Sequence, residues 1–153
     1  MLSIGIESCN PENLRFLRKQ NMLKHLGNLN IAKEHGIAVR ASFIVGLPYD
    51  TDESLERYFL EASRLPIDEY AVYGLIPYPG TDLYANPKKH NYYIVDTDFS
   101  NYKQLGKGGE SCFVLGYDNG INAFTPKDVR RWHKRADELL GIHLKHMRNS
   151  NIQ

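Results

Sequence analysis

The chain has 153 residues, and its 19 basic and 18 acidic side chains give a net charge of +1. This length favours one domain with its own hydrophobic core, and the balanced charge excludes a global field directed at nucleic acid or an anionic membrane. The sequence has no run of about 18 apolar residues and no signal-peptide pattern, so we expect a cytoplasmic protein without a membrane partner.

The first predicted elements are a strand and two helices. A strand is predicted over residues 2–6, after which Asn10 and Pro11 are typical of a helix start. A second helix is predicted over residues 22–35 because apolar residues recur there on one stripe, and Gly36 is typical of the position after a helix end.

Two further strands and a helix follow. The strands are predicted over residues 37–45 and 70–76, and the helix between them begins at residues 51–54 and ends before Pro66. Apolar strands separated by single amphipathic helices predict parallel βα units with the helices outside the sheet. The fold class is therefore α/β.

The composition changes after residue 84, which divides the chain into residues 1–84 and a C-terminal extension, residues 85–153. The extension is rich in Tyr, Gly and Asn and has short strand-like pieces at residues 92–95 and 112–115. A final helix is predicted to begin at Pro126.

Two cysteines, Cys9 and Cys112, lie about a hundred residues apart. This spacing fits neither a disulfide framework nor a clustered metal site. We expect both thiols to be reduced and structural.

The residues that could carry chemistry follow the predicted strands. Glu7 and Ser8 follow the first strand, Gly46 follows the second, and a turn beginning at Pro77 follows the third. Ligands of parallel α/β sheets bind at the carboxyl ends of the strands, and a carboxylate there can accept hydrogen bonds from a ribose diol. These residues are the candidate site.

Five segments in order carry a resemblance to a known family. They are Gly-Ile-Glu-Ser at 5–8, Leu-Arg-Lys at 17–19, Ala-Lys-Glu-His-Gly-Ile at 32–37, Phe-Ile-Val-Gly-Leu-Pro at 43–48 and Ile-Pro-Tyr-Pro-Gly-Thr-Asp-Leu-Tyr at 76–84. Together they resemble the radical S-adenosylmethionine superfamily, especially its iron-sulfur oxidoreductases that often carry a cobalamin domain. The resemblance implies that three parallel βα units form the second half of a partial (βα)6 TIM-like barrel.

The resemblance also assigns residues by position on the ribose and methionine side of the cofactor. It places Glu7, helped by Ser8, against the ribose hydroxyls of S-adenosylmethionine. It places Lys19 against the methionine carboxylate, to which a lysine supplies a point charge rather than a bidentate fork.

On the remaining side of the site, the resemblance assigns strand residues to ribose and adenine. Ser42 falls at a ribose-side position where a glycine or an acid is often found. Ile44 and Gly46 match the adenine-packing pattern, and the backbone of Ile76 and Pro77 falls where it would meet adenine.

Family members bind a 4Fe-4S cluster through three closely spaced cysteines, a spacing that this sequence lacks. The expectation is therefore a fragment that is inactive alone, with no catalytic or metal-binding residue of its own. The full-length enzyme would use S-adenosylmethionine and the cluster, and an absent domain could hold cobalamin. The missing N-terminal half of the barrel would be its first partner.

A non-catalytic interaction module is the alternative hypothesis. Three parallel strands leave exposed sheet edges, and pairing of one edge with a second copy would give a homodimer. Nucleic-acid binding by the basic terminal helix, residues 127–148, is a less favoured alternative. A phosphate loop at residues 106–111 and a metal pair at His143 and His146 are disfavoured against a mobile turn and a solvated helix face.

Overall fold

A three-stranded parallel sheet forms the centre of the protein, as seen in a computed structural model that describes residues 1–99, 102 and 114–150 and, within α6, the side chains only as far as residue 141. Its strands are β1 (Leu2–Glu7), β2 (Val39–Val45) and β3 (Glu69–Gly74), in the order β1-β2-β3. The predicted α/β class and parallel pairing are confirmed, whereas no barrel is found in the described part of the chain.

The connections between the strands are helical. The first contains α1 (Pro11–Phe16), α2 (Met22–His25) and α3 (Asn28–Glu34), and the second contains α4 (Asp52–Ala62). Side chains at both predicted starts accept backbone hydrogen bonds, Asn10 Oδ1 from Glu12 N at 2.9 Å and Thr51 Oγ1 from Ser54 N at 3.1 Å. These caps satisfy amide groups that have no partner inside a helix.

The prediction of a single helix over residues 22–35 is wrong, because the segment is broken between α2 and α3. The break includes Gly27, and a glycine in a helix interior costs about 1 kcal/mol relative to alanine. Gly36 does follow the end of α3 in a left-handed conformation, with φ 69°, as predicted.

The C-terminal extension contains a second, antiparallel sheet. It comprises β4 (Tyr92–Ile94), β5 (Leu115–Asp118) and β6 (Ala123–Phe124), and is preceded by α5 (Asp82–Ala85) and a 3₁₀ turn (Pro87–His90). The strand predicted at residues 92–95 is confirmed. Only the end of the piece predicted at 112–115 is described, and β6 was not predicted.

The main hydrophobic core lies between one face of the parallel sheet and the helices. Every second residue of β2 is fully buried on this face, as the side-chain alternation of a strand requires. The terminal helix α6 (Pro126–Ser150) belongs to this core through Trp132 and Leu140, and the Tyr70 hydroxyl donates to the Asp137 carbonyl at 3.1 Å. Among the described residues, every helix is too short or too polar to cross a lipid bilayer.

Candidate functional site

Glu7 occupies an irregular position at the carboxyl end of β1. The pairing of β1 with β2 shifts register between Gly5 and Glu7, and Glu7 has a left-handed backbone with φ 65°. Such a conformation costs a non-glycine residue about 1 kcal/mol or more. The Tyr58 hydroxyl, on buried α4, donates to the Glu7 carbonyl at 3.3 Å and so ties this turn to the core.

The Glu7 side chain lies over Gly5, on the face of the sheet opposite the helices, which we call the open face. The position of Gly5 follows from strand alternation, because Ile4 and Ile6 pack into the core. A Cβ added to Gly5 would overlap Glu7 Oε1. The carboxylate therefore fills the space that any side chain at residue 5 would need.

Lys19 pairs directly with Glu7. Its Nζ atom lies 2.9 Å from Glu7 Oε1 and donates to the Gly5 carbonyl at 3.0 Å. The structure thus brings together two residues that the resemblance assigned to different parts of S-adenosylmethionine. Glu7 is 18% exposed and Lys19 37% exposed, so the pair is accessible from solvent.

Ser42 and Ile44 lie next to this pair on the open face. Ser42 is directly opposite Gly5 in the β1–β2 register, and neighbouring strands are about 4.8 Å apart. Ile44 follows on the same face, half-buried. Ser8, by contrast, is fully buried, and its Oγ accepts a hydrogen bond from Asn10 N at 3.1 Å.

Gly46 is occupied with structural contacts. Its N–H donates to Asp50 Oδ2 and its carbonyl accepts from the Tyr92 hydroxyl, both at 2.9 Å. Its φ of 93° suits glycine, and an added Cβ would lie 3.2 Å from Val129 Cγ2. The backbone polar atoms of Gly46 are therefore already satisfied.

Ile76 and Pro77 follow β3 and are both buried. Pro77 is fully buried, and Ile76 packs in a second hydrophobic cluster with Tyr92, Leu115 and Tyr117. The Ile76 side chain therefore helps to attach the extension to the end of the parallel sheet.

A buried polar network that was not predicted from the sequence lies beside the site. Asp50 accepts hydrogen bonds from Gly46 N and Leu47 N, both at 2.9 Å, and from Asn13 Nδ2 at 2.7 Å. Asn13 Oδ1 in turn accepts from Tyr49 N at 3.0 Å. The network fixes residues 46–50 against α1, which follows the strand that carries Glu7.

Burial raises the pKa of Asp50 to about 7, although the hydrogen bonds from Leu47, Gly46 and Asn13 act in the opposite direction. A carboxyl in a dry site is easier to keep neutral than charged. One sequence signal for the network was available: Asn13 is a polar residue beside Leu14 in a short helix whose inward face has to be buried.

Asn122 fixes the same loop from the extension. Its Nδ2 donates to the carbonyls of Asp50 at 2.7 Å and Pro48 at 3.4 Å. The turn before β6 thereby closes over the end of β2. No sequence pattern indicated this contact, since it joins residues more than seventy positions apart.

Cys9 is a free, half-buried thiol that packs against the main hydrophobic core. Burial, with a further contribution from Glu61, raises its pKa to about 12, so the thiol stays protonated at neutral pH. Within the described residues, no group of three or more His, Cys, Asp or Glu side chains could hold a metal ion. Cys112 and residues 106–111 lie outside the described part of the chain, as do the side chains of His143 and His146.

A cavity of about 260 Å³ lies on the helix side of the sheet, between the beginnings of α4 and α6. Asp52 at its rim accepts hydrogen bonds from Arg131 at 2.8 Å and from the Trp132 indole at 2.6 Å. These two donors also lower the pKa of Asp52. The charged side chains of Asp52, Asp128 and Arg131 at the rim pair with one another and connect α4 to α6.

Nucleic-acid binding by α6 would require its basic side chains to be available to phosphates. Arg135 forms a two-point contact with Glu56 of α4, at 2.6 and 3.1 Å, and Arg131 pairs with Asp52. These guanidinium groups are engaged in joining helices. This arrangement favours the structural interpretation of the basic helix.

Two known proteins are similar to part of this chain. One is an uncharacterized methyltransferase of Pyrococcus horikoshii, 38% identical over 82 residues, which cover 52% of this chain and 18% of that protein. The other is the bacteriochlorophyllide d C-12(1)-methyltransferase of Chlorobaculum tepidum, 32% identical over 96 residues, covering 58% of this chain and 20% of that protein.

No protein-family model matches the chain. The chain spans about a fifth of the length of the curated relatives it matches. It therefore has a distant, partial similarity to methyltransferases.

Proposed function

We propose that this chain supplies the ribose- and adenine-binding side of an S-adenosylmethionine site in a radical S-adenosylmethionine enzyme that transfers methyl groups. The methyltransfer follows from the named activities of the two similar proteins. The radical chemistry rests on the five-segment resemblance. Methyl transfer takes the place of the oxidoreductase activity that this resemblance implied, because both similar proteins are named methyltransferases.

The observation that carries the proposal is the placement of the Glu7 carboxylate. It ends a parallel strand, lies over Gly5 on the open face and neighbours Ser42, at the edge where α/β sheets bind ligands. A carboxylate accepts hydrogen bonds from two vicinal hydroxyls well, and a serine hydroxyl beside it can donate or accept another. A ribose diol presents this pattern of groups.

The adenine side of the proposal rests on Ile44 and the backbone. Ile44 offers an apolar surface on the same face as Ser42. Gly46 has no free backbone polar atom, and buried Pro77 has no N–H, so they offer less than the resemblance implied. Ile76 would act only through its backbone.

The 4Fe-4S cluster does not fit the described residues. Cys9 is the one cysteine in the described part of the chain, and a single, half-buried, protonated thiol is a poor ligand for iron. We therefore propose that another segment of a longer protein, including the other half of the barrel, supplies the cluster, and that this chain is inactive without it. A cobalamin domain would likewise belong to that longer protein.

The proposal is tested by replacing the carboxylate. Glu7→Ala should weaken S-adenosylmethionine binding by about 1.5 to 3 kcal/mol, because a charged hydrogen bond to ribose is lost. Nuclear magnetic resonance titration of the chain measures this affinity. Glu69→Ala is the matched control, since Glu69 is an exposed acid near the opposite end of the sheet.

Equal affinities of the wild-type and Glu7→Ala chains, with both folded, would contradict the proposal. A second check is the coding sequence upstream of Met1, where the proposal expects a segment with three closely spaced cysteines.

A non-catalytic module that pairs through its sheet edge is the second candidate. Among the described strands, β1 pairs with β2 alone, and Leu2 is 43% exposed beside this edge. A strand with an unpaired edge is a template for another chain. We propose a homodimer as the simplest product of such pairing.

A further inference from the structure

Arg40 is a half-buried basic residue on the open face of the sheet. Its neighbours on β2, Val39 and Ala41, are fully buried on the core face, so strand alternation places Arg40 on the other face. Among the described residues, its side chain has no hydrogen-bond or ion-pair partner. Glu69 lies directly opposite on β3, but it is exposed and does not pair with Arg40.

The lack of a counter-ion sets Arg40 apart from comparable residues. In the part of the chain that the structure describes, the other half-buried lysine and arginine side chains each pair with a carboxylate: Lys19 with Glu7, Lys33 with Asp68 and Arg135 with Glu56. Arg40 therefore carries a positive charge for which the described residues supply no partner.

Two hydroxyl groups on the open face also lack a hydrogen-bond partner within the described residues. Ser42 follows Arg40 on the same face of β2, and half-buried Tyr73 lies on β3 opposite Ile44. Several buried tyrosines, by contrast, donate their hydroxyl to a backbone carbonyl: Tyr58, Tyr70 and Tyr92. The open face thus has three groups that can donate hydrogen bonds, one of them charged.

Enclosure of this face would make an unpaired guanidinium costly. The proposed function turns the open face into the inner wall of a barrel, and a charge taken out of water destabilises a protein unless an opposite charge compensates it. A guanidinium forms two parallel hydrogen bonds with a carboxylate or a phosphate. A molecule that binds on this face can therefore bring the anion that Arg40 lacks.

We propose that the open face binds the molecule that accepts the methyl group, and that this molecule has a carboxylate or a phosphate that Arg40 binds. This inference rests on the proposed function and adds the chemical class of the substrate. The Tyr73 hydroxyl donates a further hydrogen bond to the substrate nearer to the strand ends. Ile44 offers the apolar surface between them.

The spacing of residues along β2 sets a minimum length for this substrate. Residues of a parallel strand rise about 3.3 Å each, so Arg40 lies about 7 Å from Ser42 and about 13 Å from Ile44, toward the beginning of the strand. The nucleoside is proposed to lie beside Glu7 and Ser42, at the strand ends. The anionic group therefore lies away from the reacting atoms, and a substrate of only a few atoms could not reach both.

Small acids and a neutral analogue test the role of the charge. Benzoate and phenyl phosphate carry the two anionic groups, and benzamide has the shape of benzoate without its charge. In titrations followed through the amide signals of Arg40, Ser42 and Ala71, one acid or both should bind about tenfold more tightly than benzamide. The tighter acid identifies the group that is recognised. Equal binding of all three compounds would overturn the proposal.

Variants of Arg40 show whether this residue is the one that binds the acid. Arg40→Gln should lower the affinity for the acids to that for benzamide, whereas Arg40→Lys should keep part of the preference, since lysine supplies the charge without the bidentate fork. Arg57→Gln is the matched control, because Arg57 is an exposed arginine on α4. Acid binding that survives Arg40→Gln would overturn the assignment.

The length of the ligand has its own test. Biphenyl-4-carboxylate, which is longer than benzoate, should bind more tightly and should also shift the amide signal of Tyr73. In Tyr73→Ala the two acids should bind equally. A preference for the longer acid that is unchanged in Tyr73→Ala would remove Tyr73 from the site.

Failure of the acid site and failure of the nucleoside site give different results. Acid binding at Arg40, together with an S-adenosylmethionine affinity that does not depend on Glu7, would contradict the proposed function and support the acid site. S-adenosylmethionine binding that depends on Glu7, without any response of Arg40 to the acids, would overturn the acid site alone.

Discussion

Two buried polar side chains, those of Asn13 and Asp50, fix the position of a loop through directional hydrogen bonds. Two hydrogen bonds, of 2.7 and 3.0 Å, join Asn13 of α1 to residues 46–50, and Asp50 accepts two more within that loop at 2.9 Å. Each donor is a group that would cost free energy if it were buried without a partner. The two residues therefore fix the loop after β2 relative to the segment that carries Lys19.

Asp50 should give the stability of the protein a distinct pH dependence. Its pKa is about 7 in the folded state, against about 3.9 in an unfolded chain. The unfolded state releases this proton first, so the stabilisation from the protonated form is complete below about pH 4 and is lost as the pH rises through about 7. The free energy of unfolding should fall by up to about 1.4 kcal/mol per pH unit in this window.

Urea unfolding at several pH values, compared with Asp50→Asn, measures this slope. The variant should be less stable because its amide replaces an acceptor with a donor, but the slope due to residue 50 should disappear. Asp118→Asn, at an exposed carboxyl, is the control for the substitution. Identical slopes in the wild type and Asp50→Asn would show that Asp50 is ionised throughout.

At the scale of helices and strands, short sequence patterns predicted the features that depend on neighbouring residues. The capping residues Asn10 and Thr51 and the C-terminal Gly36 mark helix ends, and the apolar strands gave the parallel sheet. The break at Gly27 was missed because one glycine weighs little against a regular apolar stripe. The remaining features of the fold depend on contacts between residues that are far apart in the sequence.

The candidate site likewise contains some features that the sequence predicted and others that it did not. Glu7 was predicted from a strand end and Ser42 from the family resemblance, and the two do neighbour each other through Gly5. The Glu7–Lys19 ion pair and the network of Asp50 depend on loops whose geometry no periodicity describes. Ile76 is buried because residues of the extension pack against it.

The capping box of α4 should contribute measurably to stability. Thr51 Oγ1 accepts from Ser54 N, and Ser54 Oγ accepts from Thr51 N at 2.9 Å. Thr51→Ala removes one of these bonds and should lower the free energy of unfolding by about 1 kcal/mol.

Fluorescence of Trp132, the single tryptophan, reports this unfolding because its indole is buried against α4. Thr97→Ala, at an exposed threonine outside the helices, should change stability by less than about 0.5 kcal/mol. A Thr51→Ala chain as stable as Thr97→Ala would mean that α4 is held by its packing alone.

At the scale of the whole molecule, the two faces of the parallel sheet are covered unequally. The helix side is packed by α3, α4 and α6, while the open face carries half-buried Ser42 and Ile44. The β1 edge has one neighbouring strand in the described part of the chain. Both proposals for function place another polypeptide at this edge, either the rest of a barrel or a second copy.

Association should therefore depend on the β1 edge. We expect the chain to sediment as a dimer at micromolar concentration, because pairing two edges satisfies backbone groups that otherwise face water. Leu2→Lys should weaken the dimer by placing a charge at the pairing edge. Ile31→Lys, which removes an exposed apolar residue from α3, should leave it intact. A wild-type monomer with slow amide exchange along residues 2–6 would show instead that the edge is already protected within one chain.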